Sequence, residues 1–186
     1  LKIRSKIGLV VGLLFIPILL LAWLFIQQSF KDIDFAQKER DGVTYVRGTW
    51  SALATLISAT STPGLVPTTR LKDQVPVSDL ALRYDAAMES GEASKALNDA
   101  LKAIDWPGKA LTRNEESEKA IAMTRALLTK VADGSNLTLD PDLDSYYVMD
   151  VATIKLPEAF DRAGTLLALA QLQKSQAQLN DDEKAE

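Results

Sequence analysis

The chain has 186 residues, a net charge of −4, no histidine and no cysteine. These absences exclude a Ser-His-Asp triad, a thiolate nucleophile, a zinc site built on histidine or cysteine, the usual haem ligands and disulfide bonds. The acidic balance argues against a nucleic-acid partner, which would require a basic surface. Composition thus indicates no cofactor, and it leaves a carboxylate-dependent hydrolase as the minority enzyme interpretation.

A run of twenty uncharged residues, 7–26, follows Lys2, Arg4 and Lys6 near the start of the chain. At about 1.5 Å per residue a helix of this length spans about 30 Å, the hydrocarbon thickness of a bilayer. The run is longer than the apolar region of a signal peptide and lacks a small-residue cleavage site, so we predict an uncleaved transmembrane helix. The three cations favour a cytoplasmic N-terminus at 1–6 and, in a bacterium, a periplasmic remainder. Subtracting their +3 from −4 leaves −7 for that remainder.

Beyond the span, apolar residues recur at helical spacing. The first stripe consists of Val43, Val46, Trp50, Leu53 and Ile57. We expect one helix from the bilayer to about Thr60, a rod of about 80 Å. Three prolines and a glycine then predict a loop over 61–76.

A second helix is predicted to begin at a Ser78 cap, to break at Ser90-Gly91, and to end at Trp106-Pro107-Gly108. Its predicted buried stripe comprises Leu80, Tyr84, Ala87, Leu97, Leu101 and Ile104. A third helix is predicted to begin at the Asn114 cap, because glutamates follow it at the positive end of the dipole, and to stop at Asp133-Gly134. Its predicted buried residues are Ile121, Leu128 and Val131.

The fourth helix has an Asp140 cap and Pro141 at its first position, where the missing N–H costs nothing. Its predicted buried stripe is Tyr147, Val151 and Ile154, then Phe160, Ala163, Leu167 and Ala170, reaching about Leu179. Pro157 should kink the rod or divide it. The sequence therefore predicts an all-α domain over 27–179, in which four helices form an up-down bundle. Asn180 to Glu183 reads as a capping box, which predicts a further helix starting within 180–186, in a longer protein.

Two segments, QKERDGVTYV (37–46) and SNLTLDPDLDSYYVMD (135–150), accompany the anchor and a following Leu-Pro. With them the chain resembles the extracytoplasmic helical input domains of bacterial transmembrane receptors, namely methyl-accepting chemotaxis proteins and sensor histidine kinases. The signature residues are Asn136, Asp140, Pro141, Asp144, Asp150 and Pro157. The resemblance implies a membrane-proximal bundle, in some members followed by a second bundle that the capping box at Asn180 would suit. It further implies a returning span, a cytoplasmic output module and a homodimer.

These segments contain the residue types of two kinds of site. Asp140, Asp142 and Asp144 alternate as in a calcium loop, but serine and valine stand where that pattern needs glycine and glutamate, so no metal is predicted. A pocket for a small ligand is the sharper hypothesis, with Arg40 and Arg47 meeting an anionic group and Tyr146 and Tyr147 offering hydroxyls. The plainer alternative is that these arginines are solvated and these tyrosines pack.

The leading functional hypothesis is a ligand-sensing receptor input domain in the bacterial inner membrane, without a catalytic module in this chain. Its predicted partners are the membrane, a second copy, and either a small molecule or a periplasmic binding protein. A G-x-x-x-G step at Gly8 and Gly12 would let two membrane helices approach. The main alternative is a membrane-tethered helical scaffold that recruits a periplasmic protein.

Overall fold

The computed structural model describes residues 3–62, 77–104, 111–138 and 143–185, and within these ranges every regular element is a helix. In chain order they are α1 (Ile3–Ser61), α2 (Val77–Met88), α3 (Gly91–Ala103), α4 (Glu115–Gly134), α5 (Leu143–Asp150), a π-helical segment (Val151–Lys155) and α6 (Leu156–Ala185). The all-α prediction is confirmed for these residues.

The N-terminal unit, residues 1–38, contains the first part of α1. This part is long and apolar enough to cross a membrane, and none of its most apolar stretch is buried in the protein. Large apolar side chains such as Phe15, Leu20 and Trp23 are exposed all round the helix, as they are in a helix that contacts lipid. The predicted transmembrane segment is therefore supported by length and composition.

The second unit, residues 39–186, is built on the remainder of α1. Val46, Leu53 and Ile57 are buried, as predicted, and Trp50 is half-buried. Val43 is 41% exposed, so its predicted burial is wrong. The buried face is centred one residue earlier, at Gly42, where an added Cβ would lie only 2.2 Å from Ser135 Cβ. At about 100° per residue, Val43 is turned off that face.

The helices α2, α3 and α4 pack on one another and on α1. The fully buried residues that fill this core are Tyr45, Leu53, Leu56, Val77, Met88, Leu97, Ile121, Leu127 and Val131. The predicted burial of Leu97, Leu101, Ile104, Ile121, Leu128 and Val131 is confirmed. At Gly134, an added Cβ would lie 2.1 Å from the backbone oxygen of Met88, so the C-terminal end of α4 packs directly against the backbone at the C-terminal end of α2. Only glycine permits that approach.

Two of the predicted helix starts can be compared with the structure. Asn114 caps α4 as predicted: its side chain accepts from Ser117 N at 2.9 Å, and Ser117 Oγ accepts from Asn114 N at 2.9 Å. The second helix begins at Val77, so Ser78 lies inside it and is not its cap. Ala87 is exposed, whereas Leu80 and Tyr84 pack against the core. The break at Ser90-Gly91 is confirmed, since α2 ends at Met88 and α3 begins at Gly91. Ser90 takes the N-cap position of α3, but its side chain makes no capping hydrogen bond.

In the last helix, the predicted buried stripe is wrong: the large apolar residues of that stripe are exposed, and a different face is buried. Tyr147, Val151, Ile154, Phe160, Ala163, Leu167 and Ala170 are all exposed. The buried positions are instead Thr153, Pro157 and Gly164. An added Cβ at Gly164 would lie 2.5 Å from Ile57 Cγ2, so α6 comes too close to α1 there for a large side chain. Small residues therefore face inward and the leucines face outward.

Pro157 changes the helix without ending it. The five residues before Leu156 form a π-helical turn, in which Leu156 N–H donates to Val151 O. In a regular α-helix, Leu156 N–H would instead donate to Ala152 O. In a π-helical turn the donor to Ala152 O would be the N–H of residue 157, but that residue is proline and has no N–H. Trp50 Nε1 donates to Ala152 O at 2.8 Å instead. The proline thus creates a carbonyl that α1 satisfies.

Four remaining predictions concern helix ends and loops. The capping box predicted at Asn180 does not start a helix, because α6 runs through it to Ala185 and the sequence has no proline or glycine between Gly164 and Asn180 to break the helix. The predicted loop over 61–76 begins one residue too early, because Ser61 is the last residue of α1, and residues 63–76 lie outside the described residues. The predicted helix end at Trp106–Gly108 and the predicted helix start at Asp140-Pro141 also lie outside the described residues.

Candidate functional site

A cluster of polar side chains with an adjoining cleft lies in the hairpin formed by α2 and α3. The hairpin turns tightly because Glu89 adopts a left-handed conformation, with φ of 51°, directly after α2. Ser90 N–H then donates to Asp85 O at 3.1 Å, which closes the end of α2. This turn brings the carboxylate of Asp85 against the first turn of α3.

Three hydroxyl groups donate to the Asp85 carboxylate. Tyr45 Oη lies 2.9 Å and Ser90 Oγ 2.7 Å from Asp85 Oδ1, and Ser94 Oγ donates to Asp85 Oδ2. Both serines and the tyrosine are buried, whereas Asp85 is half-buried. The carboxylate therefore joins three helices, with Tyr45 from α1, Asp85 from α2 and Ser94 from α3.

The Tyr45 phenol is held in its protonated form. Burial raises the pKa of Tyr45 well above its ordinary value of 10.0, and the hydrogen bond to Asp85 raises it further. A phenol that keeps its proton remains a hydrogen-bond donor over the whole physiological pH range. Tyr45 also packs against the Tyr84 ring, with 6.1 Å between the ring centroids.

A cleft of about 590 Å³ opens between α2 and α3 beside this carboxylate. Its size falls within the range of small-molecule pockets, about 300–1,000 Å³. It is lined by Ser78, Ala81, Leu82, Asp85, Ser94, Lys95, Asn98, Asp99, Leu101 and Lys102. Apolar wall residues and a few convergent polar groups are the usual composition of a binding cleft. Lys102 Nζ pairs with Asp99 Oδ1 at 3.1 Å, so these two charges compensate each other.

A second polar cluster fastens α6 to α4. The Arg113 side chain, 6% exposed, pairs with Asp161 and, at 2.6 Å, with Glu118. Arg125 Nη1 lies 3.1 Å from the other oxygen of Asp161. Burial alone would lower the pKa of Arg113, but its hydrogen bonds to Glu118 and Asp161 outweigh burial and raise it above the ordinary value. With two cations and two carboxylates this cluster is internally neutral, and we assign it a structural role.

The four predicted ligand-binding residues lie on the surface. Arg40 and Arg47 are exposed on α1, and Tyr146 and Tyr147 are exposed on α5, where their rings contact each other edge to face. Among the described residues, no hydrogen bond or ring contact joins either arginine to either tyrosine. A pocket formed by these four residues stays a prediction.

The signature residues occupy varied positions. Asn136 adopts φ of 65° in the turn after α4, Asp150 ends α5, and Pro157 is buried. Asp144 lies in α5, while Asp140 and Pro141 fall outside the described residues.

Sequence reasoning missed the Asp85 cluster because its members lie on three different helices. A partial signal existed, since Asp85, Ser90 and Ser94 flank the break that was recognised at Ser90-Gly91. No sequence pattern indicated that Tyr45, forty residues earlier in the chain, would donate to Asp85.

No protein-family model matches the chain, and comparisons with curated proteins and with solved structures find no match. Functional interpretation therefore rests on the residues and their geometry.

Proposed function

We propose that this chain is the extracytoplasmic input domain of a bacterial transmembrane signalling receptor, of the chemoreceptor or sensor-kinase type. One observation carries the proposal: α1 contributes both the apolar candidate span and the Tyr45 hydroxyl that holds Asp85 beside the α2–α3 cleft. A group in the cleft that changes the Asp85 hydrogen bonds acts directly on the helix that would enter the membrane.

The signal is a shift between two packings of the helices. A ligand biases such an equilibrium only by binding one packing more tightly than the other. The helices of residues 39–186 would form the four-helix bundle, with α5, the π-helical segment and α6 together serving as the fourth member. Either a small molecule or a periplasmic binding protein is compatible with this scheme.

The proposed topology places residues 1–6 in the cytoplasm and the helical domain in the periplasm. Because the chain has no cysteine, single-cysteine variants test this directly. A membrane-impermeant maleimide should label Lys130→Cys in intact cells, since Lys130 is exposed on α4, and should label Lys2→Cys only after lysis. The reverse labelling pattern would overturn the topology.

A homodimer is proposed through the exposed apolar stripe of α6. Its members follow steps of 4, 3, 4 and 3, the spacing of a coiled-coil seam: Leu156, Phe160, Ala163, Leu167 and Ala170. Phe160 lies at the edge of this stripe, since its ring also contacts Trp50 of α1 with 6.5 Å between the ring centroids. Large exposed apolar surfaces mark interaction sites, and a seam of this spacing matches a second copy of itself. Leu167→Glu should shift the full-length chain in detergent from dimer to monomer in analytical ultracentrifugation. Leu172→Glu is the matched control because Leu172 is exposed off the seam.

The decisive test of the receptor proposal is the reading frame beyond Glu186 on the source DNA. A second span followed by a coiled coil with methylatable glutamates supports a chemoreceptor, and a phosphoacceptor histidine with an ATP-binding domain supports a sensor kinase. A stop codon close behind Glu186 would refute both. The exposed α6 stripe would then favour the second candidate function, a tethered scaffold that binds another periplasmic protein.

A further inference from the structure

We infer that the α2–α3 cleft binds a small zwitterion, a molecule that carries one primary ammonium group and one carboxylate on a short apolar body. The ammonium group would contact Asp85 and the carboxylate would contact Lys95. This inference rests on the proposed sensory function in that it identifies the class of its ligand.

The charges that line the cleft lead to this ligand class. Two acidic and two basic side chains line it, and Asp99 pairs with Lys102 at 3.1 Å. The remaining two charges, Asp85 on α2 and Lys95 on α3, form no ion pair with each other or with any other described residue. One negative and one positive group are therefore left on opposite walls of one cleft, and a ligand with both charges would satisfy both.

The hydrogen bonds around Asp85 support an additional cationic donor. A carboxylate offers about four lone-pair positions, and Tyr45, Ser90 and Ser94 occupy three of them. All three donors are neutral hydroxyls, so they orient the carboxylate without neutralising its charge. An ammonium group supplies a charge-assisted hydrogen bond, which is stronger than one between neutral groups.

The apolar side chains that line the α2–α3 cleft indicate the kind of body that the ligand would have. Ala81, Leu82 and Leu101 supply apolar surface to the cleft that Asp85 and Lys95 also line, and the Leu82 side chain is 87% exposed. An apolar chain of a few carbons would cover this surface. Asn98 Oδ1 accepts from Ser78 Oγ at 3.3 Å, which leaves the Asn98 NH2 group to donate to the carboxylate end.

Isothermal titration calorimetry on the full chain in lipid nanodiscs tests the inference with four probes of equal carbon number. L-norvaline and 5-aminopentanoate carry both charges at two different separations, pentylamine carries only the ammonium group, and pentanoate carries only the carboxylate. We expect at least one of the two zwitterions to bind more tightly than both single-charge probes. If neither does, the inference is wrong.

Two variants locate the site. Asp85→Asn should weaken zwitterion binding about tenfold, the usual effect of losing a hydrogen bond to a charged group. The amide oxygen still accepts from Tyr45 and Ser90, and the amide nitrogen can donate to Ser94 Oγ, so the fold should persist and circular dichroism checks it. Lys95→Gln should weaken binding about threefold, because Lys95 is exposed and its charge is screened.

Lys130→Gln is the matched control, since it removes an exposed lysine outside the cleft and should leave affinity unchanged. Zwitterion binding that is insensitive to Asp85→Asn and Lys95→Gln would overturn the assignment to this cleft. Neither result bears on the reading frame beyond Glu186, so failure of the ligand class and failure of the receptor proposal are separable.

Discussion

The hydrogen bond from Trp50 to the π-helical segment permits a quantitative test of how α1 is joined to the last helix. Trp50 Nε1 lies 2.8 Å from Ala152 O, a carbonyl that loses its backbone donors because Leu156 N–H turns to Val151 O and residue 157 is proline. Trp50→Phe keeps an aromatic ring and removes the N–H. A half-buried carbonyl left without a donor costs about 1–3 kcal/mol of unfolding free energy.

Taking about 2 kcal/mol for this loss, the Tm should fall by about 4–8 °C for a domain of this size. Thermal unfolding of the full chain in detergent, followed by far-UV circular dichroism, measures it. Trp23→Phe is the control, because Trp23 is exposed on the apolar part of α1, and it should leave the Tm unchanged.

A double-mutant cycle separates the hydrogen bond from the lost ring area. Pro157→Ala restores an N–H at the position that pairs with Ala152 O in a π-helical turn. Trp50→Phe should then cost about 1 kcal/mol less than it does with Pro157 present, because the carbonyl keeps a donor. An equal cost in both backgrounds would refute the view that proline creates the carbonyl that Trp50 satisfies.

Three further predictions use the same unfolding measurement. Gly134→Ala should lose about 1–3 kcal/mol because its Cβ would lie 2.1 Å from a backbone oxygen, whereas Gly91→Ala, which meets open space, should be neutral or stabilising by up to about 1 kcal/mol. Folding raises the pKa of the Tyr45 phenol above its ordinary value of 10.0, so Tyr45 stabilises the folded state fully below about pH 10 and progressively less above it. Tyr45→Phe removes this titration and should therefore lose less stability above about pH 10 than the wild-type protein does. Asp161→Asn should cost about 2 kcal/mol because it removes a partner of a buried guanidinium, while Glu158→Gln, in an exposed pair, should change stability by less than about 0.5 kcal/mol.

Each of these predictions has a contrary outcome. Equal Tm values for the two glycine variants would show that the ends of α2 and α4 separate freely. A Tyr45→Phe protein with the wild-type alkaline profile would show that a group other than Tyr45 titrates there. Equal effects of Asp161→Asn and Glu158→Gln would mean that burial adds nothing to the α4–α6 ion pairs.

Local chemistry accounts for what was predictable from the sequence. The apolar run at 7–26, the Asn114 cap, the break at Ser90-Gly91 and the stop at Gly134 all depend on residues within one or two turns of each other. Helical periodicity located most of the buried faces of α1, α3 and α4, because the large apolar residues of those helices lie on one side.

The buried face of the last helix could be identified only from the tertiary structure. Periodicity shows that an apolar stripe exists, but not whether a neighbouring helix covers it. There, close approach to Ile57 on α1 selects Gly164 and leaves Leu167 outside, while Phe160 is partly exposed with its ring against Trp50. The Asp85 site required the tertiary structure for a different reason. Its tyrosine and carboxylate are forty residues apart, and only packing of α1 against the α2–α3 hairpin brings the two oxygens within 2.9 Å.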